Sequence, residues 1–179
     1  MTQHPLKHHQ IFLTLLASLY IWTLLAFEHM NGGVISHHIM QRADLPAISN
    51  WWGALLLPVL SWFLLGRIYR RISGSYPLTV VISFGGALLF GVLVSVLFRH
   101  GQQEVLSQLM LSLPLLALFF PLYRAEFLLG FVLAMTYTFG ALLPTGFGLL
   151  LTLMAVLVHK GVRLLFSYGS SLINRSTQP

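Results

Sequence analysis

Residues 127–158 read FLLGFVLAMTYTFGALLPTGFGLLLTLMAVLV, 32 positions without a single charged side chain. As one α-helix this run would be about 48 Å long, well past the ~30 Å hydrocarbon core of a bilayer. Near its middle stands Leu143-Pro144-Thr145-Gly146, and a proline followed closely by glycine punctuates a helix. The run is therefore predicted to divide into two helices, 127–143 and 147–166, joined by a tight turn. That division decides the span count of the whole chain.

Outward from this stretch the composition has the same character. Of 179 residues, 56% are hydrophobic and only 8% charged, whereas soluble domains carry about 25% charged residues. Four more apolar segments, 11–27, 51–68, 78–98 and 105–122, are each long enough to cross a bilayer. The first has no A-x-A-like cleavage site after it and is read as a retained span rather than a signal peptide. The predicted fold class is thus all-α: a polytopic integral membrane protein with six transmembrane helices in one domain, residues 1–179.

The charges support six rather than five. With the N-terminus in the cytoplasm, the inner ends of six spans hold Lys7, Arg67, Arg70, Arg71, Arg124, Lys160, Arg163 and Arg175, and the outer connections hold only Arg42 and Arg99. Eight against two is a strong positive-inside bias. A five-span chain would carry three of those eight to the other side. Both termini are accordingly expected in the cytoplasm of a bacterial plasma (inner) membrane. The net charge of +6 reflects these anchors and not a nucleic-acid surface, so the expected partners are the lipid bilayer and, in one reading, another membrane subunit. The chain has no cysteine, which excludes disulfides, thiolate metal sites, iron–sulfur clusters and cysteine nucleophiles.

Close helix packing in lipid depends on small residues. Ser83, Ala87, Gly91 and Ser95 repeat every fourth position along the third span, and Gly130, Ala134 and Thr138 do so on the fifth. Both stripes are expected to pack within the molecule rather than against a second copy. Pro58 and Pro114 fall inside the second and fourth spans. The two halves of the chain show no inverted repeat, and no charged residue sits mid-span, which weighs against ion pumps and voltage sensors.

The chemistry is concentrated in FEHMNGGVISHHIMQRADLPAISNWW, residues 27–52, with two of the four carboxylates and three of the eight histidines. A mere connector needs only a handful of residues. Glu28, His29, Asn31, His37, His38 and Asp44 are the candidate ligand or proton-site residues here, with His100 and Glu104 of the next outer connection as further members. Glu28, His29, His37, His38 and Asp44 offer nitrogen and oxygen donors suited to a divalent metal such as Zn²⁺. Imidazole also titrates near neutral pH. The signal is unspecific: there is no H-E-x-x-H, and neighbouring His37 and His38 would point about 100° apart on a helix. Asn31-Gly32-Gly33 predicts a sharp turn. Asp44-Leu45-Pro46 predicts a short interfacial helix with Asp44 as its N-cap. Arg124 and Glu126 flank an inner turn and are expected to pair.

Three functions fit these features, in order. The first is a transport component or permease subunit with a polar, histidine-rich ligand or ion site on the extracytoplasmic side. The second is an intramembrane enzyme, with or without a metal, acting on a lipid or lipid-linked substrate at the outer interface. The third is a non-catalytic accessory subunit docking through the Ser83–Ser95 stripe.

Overall fold

The structure is a computed structural model that describes residues 4–38, 42, 44, 46–72 and 76–176. Six helices follow one another: α1 (His4–Met30), α2 (Gly53–Tyr69), α3 (Leu78–Arg99), α4 (Gln103–Phe119), α5 (Ala125–Phe139) and α6 (Leu142–Ser176). Between α1 and α2 lies a two-stranded antiparallel hairpin, β1 (Ser36–His38) and β2 (Ala47–Ser49), with Ser36 opposite Ser49 and His38 opposite Ala47. A single 3-10 turn, Asn50–Trp52, leads from β2 into α2.

Among the described residues, four helical segments are long and apolar enough to cross a membrane: Lys7–Met30, Asn50–Tyr69, Leu78–Arg99 and Leu142–Val162. The surface they present is hydrocarbon, with Phe12, Leu19, Trp22, Leu55, Phe63 and Leu89 all exposed. A water-soluble protein does not present contiguous apolar surface of this kind, so the chain is a multi-pass integral membrane protein. The helices α4 and α5 are shorter, 17 and 15 residues, or about 25 and 22 Å.

The short α5 is the centre of the bundle. It packs on α3 most extensively, then on α6 and α2, with a small contact to α1, and nine of its fifteen residues are buried. A helix sheathed by its neighbours along its length need not reach both lipid interfaces itself. Gly130 sits so close to α3 that a Cβ there would lie 2.5 Å from the Phe84 carbonyl oxygen; a Cβ on Gly91 would lie 2.7 Å from Ala134 and 3.1 Å from the Phe131 oxygen. The small residues of the two helices thus face one another, with Ala87 and Ser95 also buried in α3.

The contacts also define the two ends of the bundle. At one end the Phe98 and Phe139 rings meet edge-on, 4.5 Å apart, and the Arg99 guanidinium lies over Tyr137. At the other, Arg71 after α2 bonds Glu126 at the start of α5, and His159 of α6 reaches the Ala117 carbonyl of α4 at 3.3 Å. The helices therefore alternate in direction. We call these the hairpin end and the arginine end.

Three sequence expectations are corrected. The apolar run does divide, but at Gly140 and Ala141 rather than at Leu143–Gly146. Gly140 adopts φ +68°, which stops α5, and Pro144 falls in the first turn of α6, where a missing N–H costs nothing. No helix begins at Asp44. Ala47–Ser49 is a strand because it pairs with β1, and the short helix starts at Asn50, with the Ser49 hydroxyl accepting from the Trp51 N–H; residues 43 and 45 lie outside the described residues. Arg124 does not pair with Glu126, whose carboxylate is taken by Arg71, 55 positions away in sequence.

Candidate functional site

The C-terminus of α1 closes on glycine. Gly32 and Gly33 take φ of +116° and +109°, and the Gly33 N–H returns to the Glu28 carbonyl at 3.1 Å, satisfying one of the helix's orphan acceptors. The Asn31 side chain donates to the Phe27 carbonyl at 2.7 Å, a helix-ending role. This reversal sends residues 34–38 back over the bundle and places the Ile35 N–H 3.1 Å from Glu28 Oε2.

Glu28 is buried, 7% exposed, and its second oxygen, Oε1, accepts from Asn50 Nδ2 at 2.9 Å. The Asn50 N–H in turn donates to the Ile35 carbonyl at 3.0 Å. Glu28, Ile35 and Asn50 thus form a closed three-way set of hydrogen bonds that ties the end of α1, the hairpin and the entry to α2. The α5–α6 turn joins as well, because the Asn50 carboxamide oxygen fills the place a Cβ on Gly140 would occupy, 1.9 Å away. Only glycine fits there, on both steric and φ grounds. A buried carboxylate costs several kcal/mol unless its oxygens are bonded; here both are, by neutral donors.

His37, the middle residue of β1, is half-buried, and burial pulls its pKa below the ordinary 6.5 against the opposing pull of the Glu28 charge. The sign follows directly. The unfolded chain takes up a proton near pH 6.5 that the folded hairpin refuses, so hairpin stability is full above that value and declines as pH falls toward the lower folded pKa. Because the chain lacks cysteine, spin labels on introduced cysteines at His38 and Ala47 report hairpin closure directly. We expect their distance distribution to broaden on acidification below 6.5. Identical broadening in His37→Asn would show that another group is responsible.

The other candidate residues do not join this set. His29 is exposed, its ring 6.4 Å from that of Trp51. His38 alternates with His37 along β1 and so projects from the opposite face of the hairpin. Asp44 makes a bidentate ion pair with Arg42, at 3.1 and 2.7 Å, exposed on both sides. His100 and Glu104 are exposed beyond α3, and no hydrogen bond or ion pair links either to the hairpin among the described residues. Glu28, His29, His37, His38 and Asp44 are not brought together as a set: among the described residues no three His, Asp or Glu groups converge, and the two Glu28 oxygens accept from Ile35 and Asn50.

The arginine end holds groups that the sequence reading did not place among the candidate site residues. Glu126 is 1% exposed, with Oε1 2.7 Å from Arg71 Nη2 and Oε2 buried without a partner among the described residues. The Tyr76 hydroxyl donates to that of Tyr69. Glu126 and Tyr76 line a cleft of about 610 Å³ between α1 and α3, floored by α5; Ser61 is part of its lining, with its hydroxyl buried and without a hydrogen-bond partner among the described residues. Glu126 lies two positions from Arg124, so sequence proximity suggested the wrong partner.

Compared with known protein families, curated proteins and solved structures, the chain matches none. The fold by itself defines the class, a polytopic α-helical membrane protein.

Proposed function

We propose that this protein is a transport component or permease subunit that crosses a bacterial plasma membrane six times, with both termini in the cytoplasm. In this reading the hairpin end faces outward, and the Glu28–Asn50–His37 set beneath the hairpin is the ligand- or proton-responsive element. One observation carries it: a buried carboxylate, held by two neutral donors and lying in the field of a half-buried histidine, joins α1, the hairpin, α2 and the α5–α6 turn at one point. A change of protonation or a bound cation there would be felt by four segments at once. The alternation of helix direction and the distribution of Lys and Arg support the orientation.

The other readings have less behind them. An enzyme at this interface needs a histidine and a carboxylate in hydrogen-bond reach, but the Glu28 oxygens are committed and His29 turns toward Trp51. An accessory subunit docking through the third-span stripe finds Ala87, Gly91 and Ser95 already buried.

The test has two arms. Reporter fusions after Pro179 should be active only in the cytoplasm; activity of a periplasm-dependent reporter there would reverse the orientation. Uptake of a panel of labelled small solutes should fall for at least one solute when the chain is deleted, and stay low with Glu28→Gln or His37→Ala at normal protein levels. Unchanged uptake across the panel, together with co-purification of a second membrane protein in fixed ratio, would favour the accessory role.

A further inference from the structure

Two features meet at the arginine end. The first is the cleft between α1 and α3, walled by Leu13, Leu16, Val81, Leu88, Leu129 and Leu133. Its volume lies in the range that holds a drug-sized ligand. The second is a basin of about 560 Å³ lined by Arg67, Arg70, Arg71, Tyr123, Arg124 and Ala125. The two share a wall: Arg71 lines the basin and bonds Glu126, which lines the cleft.

The charge balance of this end is one-sided. Glu126 is its only carboxylate, since Glu28 and Asp44 belong to the hairpin and Glu104 to the start of α4. The four guanidiniums of the basin therefore have one carboxylate beside them, and Arg67, Arg70 and Arg124 have no ion-pair partner among the described residues. Guanidinium clusters between membrane helices suit phosphate-bearing headgroups. The cleft adds an independent observation, two buried polar groups, Ser61 Oγ and Glu126 Oε2, without partners among the described residues. Both atoms lie just behind the cleft wall, so a lipid that parts the wall would let Ser61 Oγ donate to an ester carbonyl and Glu126 Oε2 accept from a headgroup hydroxyl. Ser61 lies seven residues before Ile68 on α2, roughly 10 Å deeper along the helix axis.

The geometry points to an anionic glycerophospholipid as the occupant. Its phosphate rests on Arg67, Arg70 and Arg124, and one acyl chain lies in the α1–α3 cleft. An apolar chain suits the leucine and valine walls, the ester region meets Ser61, and the headgroup meets the uncompensated arginines. This site does not depend on the transport reading, because it occupies the opposite end of the bundle from Glu28.

The full chain in neutral detergent is titrated with micelles containing phosphatidylglycerol or phosphatidylcholine, with binding followed by native mass spectrometry and by the unfolding midpoint. Phosphatidylglycerol should bind and raise the midpoint while phosphatidylcholine does not. The triple variant R67Q/R70Q/R124Q should lose roughly 100-fold in affinity. Should it fail to accumulate, R67Q and R124Q alone should each lose roughly 5-fold. Val81→Trp, which fills the cleft from its exposed rim, should weaken binding with the arginines intact. Four results would overturn the proposal: equal binding of the two lipids; equal stabilisation by inorganic phosphate, which would mark a site for free phosphate; full lipid affinity in Val81→Trp, which would leave the cleft out of it; and a co-purified protein segment crosslinked into the cleft.

Discussion

Gly130→Ala should separate the two helices at the heart of this protein, lowering stability by about 1–3 kcal/mol. The added methyl carbon would sit 2.5 Å from the Phe84 carbonyl oxygen, 3.1 Å from the Leu88 nitrogen and 3.3 Å from the Ala87 Cβ. Two of those three atoms are backbone, so relief requires moving α3 itself rather than rotating a side chain. Moving α3 also loosens Gly91 from Ala134 and the Phe131 oxygen, on the same seam. In a bilayer, where apolar contact with lipid is as good as contact with another helix, such close approach is much of what holds helices together. The control is Gly86→Ala on α3: nothing lies within 4 Å of a Cβ there, and alanine is the better helix former by up to about 1 kcal/mol. Titration with denaturing detergent, followed by tryptophan fluorescence, compares the two. Equal midpoints would mean that the α3–α5 seam is not tight.

Gly140→Ala should be comparably damaging, for a different reason. A side chain at φ +68° and ψ 174°, a region essentially confined to glycine, carries about 1–3 kcal/mol of backbone strain. Its Cβ would also take the position of the Asn50 carboxamide oxygen. Displacing that carboxamide breaks its bond to Glu28 Oε1 and leaves a buried carboxylate with one donor, a further loss of about 1–3 kcal/mol. A double-mutant cycle separates the two causes. Asn50→Ala alone should destabilise through the orphaned carboxylate, whereas Asn50→Ala combined with Glu28→Met should recover part of the loss, because no buried charge remains to be satisfied. If the double variant is no better than Asn50→Ala, Glu28 is not what Asn50 serves.

These two glycines mark where sequence reading succeeds and where it stops. Gly130 and Gly91 were legible as members of small-residue stripes, since a four-residue repeat lies on one helix face whatever the neighbours are. That the stripes face each other is a matter of which helices come together. Gly140 gave no such signal. The pair Pro144–Gly146 looks like a stronger breaker, yet proline in a first helical turn is harmless, and the real break is set by the Asn50 carboxamide, ninety positions earlier in the chain. The hairpin was missed similarly: three-residue strands carry too little periodicity to read, and strand pairing is a non-local event. Glu28 and His37 were singled out as polar residues in a long loop; their approach depended on a glycine reversal and a hairpin register.

What the sequence by itself determined is the medium and the rods. Long uncharged stretches can satisfy their backbone groups in lipid only as helices, a constraint that acts on each segment alone. Tertiary structure decided which buried charge meets which donor: Glu126 with Arg71 rather than Arg124, and Glu28 with the Asn50 carboxamide and the Ile35 N–H. The physical reason is range. Hydrocarbon burial is additive and local, while a buried carboxylate accepts whatever donor the packing of distant helices brings within about 3 Å.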